Sequence, residues 1–190
     1  MNDASSRRPD AGTLIARMEW IDSRGAIMDG DRRYLMMRAD VLMGLFREMP
    51  AELRRPAMQA LAASVRKRGG GSAKAYFEAT GHQPQALVDT IARYSRELGW
   101  GCWHVEASSG DAIEVTVEDS PFAEGFGPSP DPVCHAIVGM LQAVGTIVFG
   151  RPASVVESCC AAQEGIDRCA FRVVPAAGDA GASPGEPRSR

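Results

Sequence analysis

Four of the chain's five cysteines fall between residues 131 and 171, in DPVCHAIVGMLQAVGTIVFGRPASVVESCCAAQEGIDRCAF, at the junctions of three predicted elements. Cys134 stands near a helix start, Cys160 follows a strand and Cys169 precedes another. The residues alone admit a metal site, a redox cluster, or thiols buried as small apolar groups. The local physics favours metal. Asp131 and Pro132 read as N-cap and first helical residue, so Cys134 would lie in a first turn whose free N–H groups and dipole favour a thiolate. From there Ile137, Val138, Met140, Leu141, Val144, Ile147 and Val148 predict a helix that is apolar nearly all round and therefore buried. Gly139 and Gly145 leave room for close backbone approach, and Gly150 closes it. The β-branched run Ala153 to Cys160 predicts a strand in which Glu157 and Cys159 share one face and Cys160 takes the other. A twist or bulge is needed before Glu157 and Cys160 can reach one ion.

The rest of the chain sets bounds. At 190 residues with polar ends, the sequence predicts a single domain over residues 14–174, with disordered tails at 1–13 and 175–190 that are rich in Gly, Pro, Ser, Ala and charge. A net charge of −3 and a pI near 5.7 argue against nucleic-acid binding, which needs a basic face. No apolar run is long enough for a membrane span and no secretory leader is visible, so a cytoplasmic protein without membrane contact is expected. An odd count of 5 cysteines in such a chain fits metal ligands plus reduced thiols better than disulfides.

Taken in order, Gly25–Met28 and Arg33–Met37 flank a turn signal at Asp29-Gly30-Asp31-Arg32 and predict two short strands. Val41, Leu42, Leu45, Phe46 and Met49 have helical spacing up to Pro50. A basic amphipathic helix follows over Glu52–Arg68. Gly69-Gly70-Gly71 reads as a hinge and cap that ends it, since no Walker lysine–hydroxyl pair accompanies the glycines. Further helices are predicted over Ser72–Thr80 and Pro84–Leu98. A strand from Gly99 to Glu106 and another over Asp111–Glu118 form a hairpin across Ser108-Ser109-Gly110. Asp119–Pro130 reads as a Gly/Pro loop whose two phenylalanines wall a pocket. The chain closes with a strand over Arg168–Val174. Cys102 and Cys159 read as core thiols, His104 as a partly exposed strand residue, and His135 as turned away from Cys134. No nucleophile elbow, dinucleotide fingerprint or carboxylate pair appears, so no catalytic residue is assigned and catalysis is not expected.

The pattern Pro132-x-Cys134, Gly150-Arg151-Pro152, Glu157-x-x-Cys160, Gly165, Cys169-x-Phe171 resembles the 4-vinyl-reductase domain family, with weaker likeness back to about residue 14. The turn between Cys160 and Cys169 holds one residue more than is usual there. The resemblance implies an α+β fold of the Golgi-transport/nitric-oxide-signalling ligand-binding type, a twisted antiparallel sheet with helices packed on one face. By the same resemblance, Cys134, Glu157, Cys160 and Cys169 would hold a structural zinc, with all four positions closed and none left for water. The family's phenol sensors place ring-contacting groups near positions that here are Ile113, Val144 and Val155, all aliphatic, and this sequence has no match for their polar phenol-reading pair. The implied ligand is a small hydrophobic or aromatic molecule, enclosed by those residues with Trp100, Trp103, Phe122 and Phe126; whether these aromatics line a cavity or fill a core stays open. The resemblance also implies a homodimer, with helices near residues 36–65 as interface. The expected role is sensor or carrier, signalling to a separate effector or enzyme partner. The alternatives are an accessory protein delivering substrate to a tetrapyrrole- or aromatic-pathway reductase or oxygenase, and a non-catalytic assembly subunit.

Overall fold

The computed structural model describes residues 13–107 and 112–177. The Ser108–Gly110 turn and most of both expected tails lie outside the described residues.

The chain begins with one helical turn, α1 (Leu14–Arg17), capped by the Thr13 hydroxyl, which accepts from the Ala16 N–H at 3.1 Å. A small antiparallel sheet follows: β1 (Glu19–Ile21), β2 (Ala26–Asp29) and β3 (Arg32–Tyr34). The expected hairpin is there, with Asp29 paired to Arg32 across Gly30-Asp31 and Gly30 at φ 63°, a left-handed position that glycine adopts at little cost. Then come α2 (Ala39–Glu48), α3 (Ala51–Ala79) and α4 (Pro84–Glu97).

The second sheet carries the site. Its strands are β4 (Cys102–Ala107), β5 (Ile113–Glu118), β6 (Ala153–Cys159) and β7 (Arg168–Pro175), all antiparallel in the order β4-β5-β7-β6. Between β5 and β6 run the short α5 (Pro121–Phe126) and the central α6 (His135–Phe149). Alternation makes the sheet two-sided. Trp103, Val115, Val117, Cys169, Phe171 and Val173 are buried under the helices. The opposite face holds His104, Glu114, Glu118 and Arg172, with Arg172 bridging to Glu114 at 2.7 Å. This is the expected mixed fold, with its core between one sheet face and α3, α4 and α6.

Two expectations need correction. Gly69-Gly70-Gly71 does not end a helix; α3 runs unbroken through it. The reason is the crossing with α6. A Cβ on Gly69 would sit 3.0 Å from Met140 Cε, one on Gly70 would sit 3.5 Å from Ala143 Cβ, and one on Gly139 would overlap the Ala62 carbonyl. The glycines admit a neighbouring helix, and the close packing gained offsets their cost of about 1 kcal/mol each in helix propensity. The second correction is at Asp119–Pro130. Ser120 caps and Pro121 opens a true helix, α5, and Phe122 and Phe126 are core residues, 5% and 7% exposed.

Candidate functional site

Cys134, Glu157, Cys160 and Cys169 come together where α6 meets the edge of the sheet. Each arrives by a separate local device. Cys134 is the N-cap of α6 (φ −82°, ψ 41°), one residue before the helix and not in its first turn, because Asp131 and Pro132 remain in the preceding loop. Its carbonyl accepts from the Ile137 and Val138 N–H groups at 2.9 and 3.1 Å. Glu157 lies on the inner face of β6, opposite Phe171. The register then slips, so that Cys159 faces Ala170 and Ser158 is the extra residue of a bulge. The slip reverses the alternation after Glu157 and turns Cys160 onto the same face as Glu157 and Cys169. In the turn that follows, Gln163 is tied back to Cys160: its Oε1 accepts from the Cys160 N–H at 3.0 Å, and its own N–H donates to the Cys160 carbonyl at 2.9 Å. The Ala161 N–H donates to Cys169 Sγ at 3.3 Å.

The four donor atoms lie within 4.8 Å of one another, in a cluster that could hold a metal ion. The sulfurs are separated by 3.8 Å (Cys134–Cys160), 3.5 Å (Cys134–Cys169) and 3.9 Å (Cys160–Cys169), and all are free thiols. A tetrahedral zinc with Zn–S near 2.3 Å requires sulfurs about 3.8 Å apart, so the set has the spacing that ion needs. All three thiols are fully buried. Glu157 accepts the Cys134 N–H through Oε2 at 3.1 Å, while its buried Oε1 has no hydrogen-bond partner among the described residues. A buried carboxylate oxygen left unpaired is costly unless something coordinates it.

The electrostatics agree. Burial, then the nearby Cys160 thiol, pushes the Glu157 carboxyl up to about 9. Hydrogen bonding to Cys160 and Cys169, then burial, raises Cys134, whereas hydrogen bonds from those neighbours lower Cys169 to about 4. Four acidic groups crowded out of water cannot all ionise by themselves. A divalent cation reverses this, because its charge favours every deprotonated ligand at once.

Two further residues support the site without having stood out in the sequence. Ser120 Oγ lies 3.2 Å from Cys134 Sγ and also accepts from the Ala123 N–H as the cap of α5. Gln163 Nε2 donates to the Pro130 carbonyl at 3.2 Å, tying the cysteine turn to the loop before α6. The Ser-Pro pair was the available signal for the first. His135 is outside the four-donor cluster, and burial lowers its imidazole. Cys102 and Cys159 are half-buried, not core thiols.

The seven expected pocket residues do not share one cavity. Trp103, Ile113 and Val144 line a space of about 10 Å³ between the sheet, α4 and α6. That is about one water's worth of room. Trp100 and Phe122 stack edge to face with centroids 5.1 Å apart. Trp100 borders a different cavity, of about 290 Å³, beside α3 and α4. Phe126 and Val155 border an open groove along α3 and α6 that also contains Arg54, Arg55, His135 and Glu157.

Fold and site together define an α+β domain whose helix layer and sheet meet at a buried cysteine and carboxylate cluster. Residues 113–175 match the 4-vinyl-reductase domain family, a segment running from β5 to the end of β7 and holding all four cluster residues, and this match shows the resemblance to that family. The structure is similar to the crystal structure of the phenol-responsive sensory domain of the transcription activator PoxR with phenol: TM-score 0.73, 18% identity, 85% of this chain and 86% of that one. It is also similar to a trafficking protein particle complex subunit 3 from Naegleria fowleri covalently bound to palmitic acid, with TM-score 0.50, 13% identity, and 72% and 93% of the two chains. At these identities the likeness is one of fold. No curated protein matches the chain by sequence.

Proposed function

We propose that residues 14–174 form one zinc-stabilised domain that binds a small hydrophobic or aromatic molecule and acts as a sensor or carrier. The observation that carries this reading is the extent of the fold shared with the phenol-responsive sensory domain, 85% of this chain at a TM-score of 0.73. Cys134, Glu157, Cys160 and Cys169 would hold the ion. With four protein donors and no position for water, it would supply cross-linking, not reactivity. It would pin the start of α6 to β6 and β7.

Trp100, Phe126 and Val155 border other spaces and Phe122 packs in the core, so the ligand site would lie where Trp103, Ile113 and Val144 converge. Its aliphatic lining suits an apolar guest, each Å² of which contributes about 25 cal/mol on burial. Admitting a ring requires α4, through Val88 and Ile91, to separate from the sheet. The near-closure of that space favours a second reading, a non-catalytic assembly subunit, in line with the fold shared with a trafficking particle subunit.

Native mass spectrometry of freshly purified protein, before and after mild denaturation, tests the proposal. The expected result is one zinc per chain together with an organic molecule released on denaturation. A chain that carries zinc but takes up no aromatic compound in a subsequent screen contradicts the sensor or carrier role and supports the assembly role.

A further inference from the structure

The cavity of about 290 Å³ has a different character from the sheet-side space and adjoins it only through Ile91, which lines both. It lies between α3, α4 and α6, with Leu14 of α1 and Tyr34 of β3 at one side. Its shape follows from the sequence of α3. Ser64, Arg68 and Ser72 recur at i, i+4 and i+8 and form a polar row, while Val65, Gly69 and Tyr76 fall on the adjacent face. Gly69 keeps the floor open: a Cβ there would sit 3.0 Å from Met140 Cε, so any side chain would press on the methionine that lines the cavity from α6.

The walls are aromatic and held in place. Tyr76 and Tyr94 meet edge to face with centroids 4.9 Å apart. Arg17 lies over both rings, at 5.7 and 5.3 Å, and its charge is matched by Asp29 at 3.3 Å. Trp100 is fixed against Phe122. Arg68 differs from Arg17. It is exposed at the mouth and forms no ion pair among the described residues. A half-open aromatic pocket lined on one side by a flexible methionine, with the unmatched Arg68 guanidinium and the hydroxyls of Ser64 and Ser72 along its edge, is complementary to a molecule that is apolar at one end and anionic at the other. The volume lies at the small end of ligand pockets, about 300 Å³, and so fits one or two rings.

We propose that this cavity is a second binding site that takes an aromatic monocarboxylate, its ring among Tyr76, Tyr94, Trp100 and Met140 and its carboxylate on Arg68 beside Ser64 and Ser72. This site is separate from the sheet-side pocket of the proposed function. Calorimetric titration of the full chain with 2-naphthoate, and with its neutral counterpart 2-naphthalenemethanol, tests it. Loss of the solvent-screened ion pair in Arg68→Gln should weaken 2-naphthoate by about two- to fivefold. The neutral compound should bind both proteins alike, and Arg68→Lys should restore part of the loss. Ser72→Phe, which fills the mouth, should abolish binding of both. Arg68 is exposed, so its variants keep the wild-type melting temperature and decide the matter even if Ser72→Phe fails to fold. No binding of 2-naphthoate to the wild type overturns the proposal. Binding that Arg68→Gln leaves unchanged also overturns it, while leaving the sheet-side pocket, and with it the sensor or carrier reading, standing.

Discussion

Glu157 and Cys160 share a face because β6 contains one residue too many, Ser158. Strict alternation would have sent Cys160 outward, and the need for a bulge was readable from the spacing alone. What the spacing did not give was the support around the cluster. Ser120 lies 14 residues from Cys134 and on a different element, so no periodicity relates them; only the chain's path through α5 places its hydroxyl 3.2 Å from the thiol. That hydroxyl both caps α5 and orients a proposed ligand. Ser120→Ala should therefore lower stability by about 1 kcal/mol through the lost cap. It should also weaken zinc retention by about tenfold or more, the usual cost of losing an outer-shell partner. Competition with a chromogenic chelator reads the second effect; unchanged zinc affinity alongside lowered stability would reduce Ser120 to a cap.

At the scale of elements, α6, the central apolar helix, and the strands around the cysteines were legible, because their hydrophobic runs and glycine stop are strong local signals. The glycine triplet of α3 misled because local propensity argues for a break, whereas the deciding partner, α6, lies some 70 positions further along the chain. The segment 119–130 misled for a similar reason: one helical turn carries too little periodicity to be seen. Two glycines separate packing from propensity. Gly139→Ala forces a methyl into the Ala62 carbonyl and should destabilise by about 1–3 kcal/mol. Gly44, in α2, has nothing within 4 Å of the point where a methyl would stand, so Gly44→Ala should stabilise by up to about 1 kcal/mol. Thermal or urea unfolding of both variants checks this, and equal effects would refute the close α3–α6 crossing.

For the whole molecule, the mixed α+β arrangement was readable from the 4-vinyl-reductase pattern, which also implied a homodimer but not which side chains its surface would expose. Leu35, Met36, Met37, Val41 and Leu45, all more than half exposed, form an apolar stretch from the end of β3 through α2. Apolar surface of this kind is a candidate interface for the homodimer that the family resemblance implies, with helices near residues 36–65 at its contact. Paired substitution Met36→Asp and Leu45→Asp should convert a dimer to a monomer in sedimentation equilibrium with little change in zinc content, since neither side chain lies in the cysteine–glutamate cluster. A wild-type monomer, or a dimer that survives the substitutions, would remove this surface from the account. No helix among the described residues is long and apolar enough to cross a membrane.

The proposed zinc joins all three scales, and two adjacent cysteines allow it to be tested directly. Cys160 is fully buried within the cluster, whereas Cys159, one residue earlier, lies outside it and is only half-buried. Zinc content and melting temperature should be measured for the wild type, Cys160→Ser and Cys159→Ser. The account predicts one zinc per chain in the wild type and in Cys159→Ser, and loss of both zinc and several kcal/mol of stability in Cys160→Ser. A Cys160→Ser protein that keeps its zinc and its melting temperature would contradict it.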